Sequence, residues 1–175
     1  MGAALRFSTL SLQSYRYDEA VTVARVLQPN LFATLSTVPG SESTPPLYYL
    51  LAWLWSRPFG TTEAGLRSLS ALAGTASILT VYLGALALGL RRRAGLIAAA
   101  MVAVSPVLIW FSQDARAYAL AFLLTSLSFV FFARARGGGG RRDLSWWAIF
   151  SALAICTHYF AGFVVAAEAA WLLIA

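Results

Sequence analysis

The chain has 175 residues, of which 59% are hydrophobic and 11% charged, and its net charge of +6 rests on 13 basic residues that are all arginine. Soluble domains carry about 45–50% apolar and about 25% charged residues, so this much apolar surface cannot be one water-facing core. The positive charge clusters in short loops between apolar runs, the pattern of membrane topology, and this excludes nucleic acid as the partner it serves.

Residues 1–12 contain no secretory h-region and are too short to cross a bilayer. Tyr15-Arg16-Tyr17-Asp18-Glu19 follows, and then a short helix over 20–27 with apolar Val23, Val26 and Leu27, suited to the membrane interface. Structurally, Asp18 is expected to cap that helix and Glu19 to suit its first turn. Ser43-Thr44-Pro45-Pro46-Leu47-Tyr48-Tyr49 opens a second short helix, since proline is tolerated in a first turn. Its aromatic residues, through Trp53 and Trp55, match the headgroup level. Thr61, Thr62 and Glu63 read as the capped start of the next helix, with Arg67 facing headgroups or a carboxylate.

A membrane helix needs about 20 largely apolar residues. Residues 68–90, 94–113 and 117–133 are free of charge and are expected to span. The stretch 144–167 is broken only by His158. It is either one span with a histidine inside it, or a helix over 144–158 followed by a return helix over 161–175. Cys156 has no second cysteine to pair with and reads as a small packed side chain.

The loops fix the sides. Arg91-Arg92-Arg93 and the stretch 134–142 are dense in arginine, which short loops retain in the cytoplasm. The loop between them, Ser112-Gln113-Asp114-Ala115-Arg116, then lies outside, as does the segment before residue 68. The expected fold is therefore all-α: a polytopic transmembrane bundle over 68–175, preceded by an extracytoplasmic loop with juxtamembrane helices over 1–67. Gly137-Gly138-Gly139-Gly140 is expected to be a flexible inner linker. Because Asp18 must be carried across, an upstream membrane helix is expected, and the apolar run reached at residue 175 suggests a longer protein.

Carboxylates, arginines, tyrosines and one histidine thus meet at one membrane surface. Arginine offers a planar fork of donors that fits phosphate. A carboxylate can serve as general base toward an acceptor hydroxyl, for about 10²–10⁴ in rate. A lipid phosphate leaves as a stable anion and needs little general acid. Plain structural roles compete with this reading: an interfacial anchor for Tyr48 and Tyr49, a loop pair of Asp114 with Arg116, and a hydrogen-bonded histidine at His158.

In order along the chain, several motifs resemble a family of GT-C class membrane glycosyltransferases, the protein O-mannosyltransferases and bacterial aminoarabinose transferases. These are Asp18-Glu19; Pro45-Pro46-Leu47-Tyr48-Tyr49; Arg67-Ser68-Leu69-Ser70-Ala71-Leu72-Ala73-Gly74; Ser105-Pro106; Gln113-Asp114-Ala115-Arg116-Ala117-Tyr118; and Thr157-His158-Tyr159-Phe160. The resemblance implies an inverting transferase that takes sugar from a polyprenyl-phosphate-linked donor on the extracytoplasmic side of the cell membrane. It matches Asp18 to the catalytic base with Glu19 as its neighbour. It sets Arg116 and Tyr118 facing the donor phosphate, and Asp114 at an acidic position that holds a divalent metal in some members; Arg16, Tyr48, Tyr49, Arg67 and His158, at the same surface, are further candidates for binding donor phosphate or substrate. It names no other cofactor and leaves the acceptor open, and it also implies the turn near His158. Thr44 stands where relatives often place histidine, so no role carries over at that position. A transporter would set ionisable residues near the bilayer midplane, and the three charge-free spans have none. A structural membrane subunit leaves the two carboxylate–arginine–tyrosine loops without a purpose.

Overall fold

The computed structural model describes residues 1–41 and 44–174; Ser43, in the double-proline motif, and Ala175, at the end of the last expected span, lie outside it. The described residues form ten helices and no strand: α1 (Gly2–Phe7), α2 (Tyr17–Val26), α3 (Leu31–Ser41), α4 (Leu47–Phe59), α5 (Glu63–Ala87), α6 (Arg92–Val104), α7 (Pro106–Ser112), α8 (Tyr118–Arg136), α9 (Arg141–Thr157) and α10 (Ala161–Ile174). The fold is all-α, as expected.

Each boundary has a local cause. Thr62 caps α5, accepting from the Gly65 N–H at 3.2 Å. Gly89, at φ +78, ends it in the left-handed region that favours glycine. Ser105 leaves the helix at ψ 118 and Pro106 restarts it, so the span expected over 94–113 is broken into α6 and α7, which meet at 59°. The glycine run after α8 is a folded turn: the Gly137 and Gly139 amides donate to the carbonyls of Ala133 and Arg134. At His158 the backbone becomes extended (φ −156, ψ 126), which selects the turn over a continuous span.

Among the described residues two helices, α5 and α8, are long and apolar enough to cross a membrane, and the bent pair α6–α7 makes a third if counted as one span. α9 has 17 residues and the described part of α10 has 14. Leucines 72, 79 and 86 of α5 and Leu96, Ile97, Met101 and Val107 of α6–α7 remain exposed, which in water would be costly and in lipid is not. On its buried side α5 presents Ser70, Ala71, Gly74, Ser77 and Gly84, small residues that let α8 and the bent pair approach closely.

The helices alternate in direction, so the arginines of the α5–α6 and α8–α9 turns share one end of the bundle. The start of α5, the α7–α8 loop and the α9–α10 turn share the other. A buried cluster that includes Tyr48, Tyr49, Leu66, Ala115, Leu120 and Ala154 holds this second end together.

Candidate functional site

Arg67 lies in the second turn of α5, is 4% exposed and uses all five N–H donors. Its Nε and one Nη2 proton grip Glu19 at 2.7 and 2.6 Å, a bidentate pair. The remaining three go to the carbonyls of Leu10, Gln13 and Ser14. Glu19 is fully buried and also accepts from the backbone N–H groups of Ala115 at 2.9 Å and Arg16 at 3.0 Å. One ion pair thereby ties together the 10–16 segment, the start of α2, the start of α5 and the loop after α7. Burial by itself would raise the Glu19 pKa. The Arg67 hydrogen bonds and the two amides outweigh it and hold the carboxyl below its usual range.

This geometry corrects two expectations. Arg67 has no donor left for a phosphate, and both oxygens of Glu19 are occupied, so neither is open to substrate. Nor does Asp18 cap α2. The cap position is Arg16, Asp18 sits one residue into the helix with its side chain exposed, and it is Glu19 that folds back on the cap amide.

Arg16 is the accessible cation of the group, its side chain 39% exposed. It pairs with Asp114 at 2.9 Å and lies over the Trp110 ring, 4.4 Å from its centroid. Asp114 was expected to pair with Arg116; it faces Arg16 because the loop turns tightly, the Arg116 amide donating to the Asp114 carbonyl at 2.8 Å. The Arg116 guanidinium instead donates to the Asp18 carbonyl at 3.3 Å, and joins the α7–α8 loop to the start of α2. Asp114 is buried with Oδ1 unpartnered among the described residues. Burial raises its pKa against the opposing pull of Arg16. A cleft of about 210 Å³ opens beside these groups, lined by Thr9, Gln13, Arg16, Arg67, Trp110 and Gln113.

Tyr48 and Tyr49 are 1% and 2% exposed and pack edge to face, so they build the core rather than meet substrate. The Tyr48 hydroxyl finds no partner among the described residues, and burial raises its pKa. Tyr118 and His158 come together across the bundle with ring centroids 5.6 Å apart, and Phe111 flanks Tyr118 at 4.8 Å. They line an apolar groove of about 420 Å³ that continues down α8 and α10 past Phe122 and Val164. Burial and then Arg116 lower the pKa of His158, whose Nδ1 accepts from the Phe160 amide at 3.3 Å.

The donors do not suit a metal. Among the described residues no three His, Cys, Asp or Glu side chains gather, and Asp114 Oδ2 and both Glu19 oxygens are shared with guanidinium groups. The sequence reading passed over Arg6, Thr9 and Trp110. Arg6 alone had a signal, as a lone charge in an otherwise apolar opening segment.

These features define a helical membrane protein with a polar, arginine-bearing cleft where its loops converge. Residues 43–175 match the family model described as dolichyl-phosphate-mannose-protein mannosyltransferase, and the chain belongs to that family. It is thus a membrane glycosyltransferase of the GT-C type. The matched region begins after Arg16, Asp18 and Glu19. No curated protein and no solved structure matches the chain.

Proposed function

We propose that this protein transfers a sugar from a polyprenyl-phosphate-linked donor to a hydroxyl acceptor at the extracytoplasmic membrane surface, with Asp18 as general base. The observation that carries the reading is the joining of the two outer loops. Arg16 and Asp114 form one link and Arg116 and the Asp18 backbone the other, and Asp18 itself is exposed at this junction. Of the carboxylates in the two joined segments, the start of α2 and the α7–α8 loop, Glu19 is fully engaged and Asp114 holds Arg16, which leaves Asp18 for the acceptor.

In the step itself, Asp18 takes the proton of the acceptor hydroxyl as its oxygen attacks the anomeric carbon. The bond from that carbon to the phosphate oxygen breaks, the configuration inverts, and polyprenyl phosphate departs as an anion. Arg16 and Arg116 stabilise the charge that grows on the phosphate. Asp114 keeps Arg16 aimed, and the groove under Tyr118 and His158 takes the first isoprenoid units. No step runs through a metal.

A donor panel in sealed vesicles tests this. The full-length protein is expected to transfer labelled sugar from polyprenyl-phosphate donors presented on the face opposite the arginine loops, and not from the same sugars linked to nucleotides. Transfer from the nucleotide donor alone would refute the reading.

A further inference from the structure

Arg6 is a buried cation with no carboxylate against it among the described residues. Its partners explain why it is there. Pro106 has no N–H, so the carbonyl four residues before it, that of Val102, loses its helical donor. The 59° bend takes the next carbonyl, that of Ala103, out of the ladder as well. Unsatisfied carbonyls within a bilayer cost several kcal/mol each. Arg6 Nη2 donates to Val102 O at 2.9 Å and Nη1 to Ala103 O at 3.0 Å. Its Nε reaches over the break to Ser112 Oγ at 3.1 Å, and Ser112 in turn donates to the Leu108 carbonyl. One guanidinium therefore grips the end of α6 and the end of α7.

The neighbours are shaped for this grip. At Gly74 a Cβ would lie 1.9 Å from Ser112 Oγ and 3.2 Å from Arg6 Nε, so only glycine leaves room on α5. Beyond Ser112, Gln113 donates to the Leu5 carbonyl at 2.8 Å and to Thr9 Oγ1 at 2.6 Å, which ties the next residue to the same segment. Asp114 follows directly.

We propose that Arg6 is a positioning residue: it replaces the hydrogen bonds that Pro106 removes from the broken span, fixes the bend, and so holds Asp114 and Arg16 at the cleft. The structural half stands alone, while the effect on catalysis rests on the sugar-transfer reading above.

The test uses full-length protein in lipid nanodiscs, with Arg6→Ala, Arg6→Lys, and Arg6→Ala combined with Pro106→Ala. Amide hydrogen exchange reads the bend directly, and transfer kinetics read the site. In Arg6→Ala, exchange over 102–116 is expected to rise about tenfold while α8 and α9 stay protected. The kcat is expected to fall about 100-fold, the scale of a displacement of about 1 Å, with the acceptor KM little changed. Arg6→Lys, with fewer donors, should fall between. Pro106→Ala restores an N–H to the span, so the combined variant should regain protection without regaining kcat, because the straightened helix carries Asp114 away.

Unchanged exchange over 102–116 in a folded Arg6→Ala or Arg6→Lys protein would overturn the proposal, as would recovery of protection and kcat together in the combined variant. If Arg6→Ala does not fold, the exchange of Arg6→Lys decides. If the wild-type protein transfers no sugar, the function assignment fails, and the exchange data still decide whether Arg6 holds the bend.

Discussion

Removing either partner of the Glu19–Arg67 pair leaves a buried charge without its counter-charge. Glu19→Gln or Arg67→Met is expected to cost about 3–5 kcal/mol of stability, and the double variant Glu19→Gln/Arg67→Met less than the sum of the two, measured by unfolding in mild detergent. Acid dependence follows from the same pair. The Glu19 pKa is lowered in the folded protein, so its contribution is complete above the ordinary glutamate pKa and is lost as pH falls through the lowered value. Asp114, raised by burial, acts in the opposite sense: its ionisation opposes folding as pH rises. The melting midpoint of the wild type should therefore drop below the ordinary glutamate range, and the drop should shrink in Glu19→Gln. At this scale the sequence showed the residue types and their grouping. It could not show that Glu19 and Arg67 spend every polar atom on each other, because that depends on where three backbone carbonyls and two amides end up.

At the scale of elements some caps and breaks were legible, though α2 is capped at Arg16 and not at Asp18. Thr62 caps α5 and Pro46 precedes α4 because their chemistry is local. The bend at Ser105 and Pro106 was visible only as a proline in an apolar run; its angle is set by partners from α1 and α5, distant in sequence. Gly74 marks that dependence. In a free helix Gly74→Ala would gain about 1 kcal/mol, but here the added Cβ meets Ser112 Oγ at 1.9 Å. Overpacking of this kind costs about 1–3 kcal/mol, so the variant should be net destabilised and should lose transfer activity by shifting the Asp114 loop. A thermal melt with a parallel activity assay checks both. The break at His158 was legible as one of two alternatives, since a polar residue in an apolar run reads equally as a buried group or as a turn.

For the whole molecule, alternating apolar runs and two kinds of loop already implied a helical membrane bundle with unlike ends. The described helices bear that out, and membership of the mannosyltransferase family gives it a chemistry. What the linear pattern could not convey is how the polar end is built. Arg67, Glu19, Tyr48 and Tyr49, which resemble substrate contacts in sequence, form its buried frame, and Arg16, Arg116 and Asp18 remain at the surface of that frame. The most direct measurement is transfer by the purified full-length protein and its Asp18→Asn variant, with lipid-linked sugar and acceptor both saturating. The account predicts that the variant inserts and melts like the wild type while kcat falls by about 10²–10⁴. A variant that transfers sugar at the wild-type rate would contradict it.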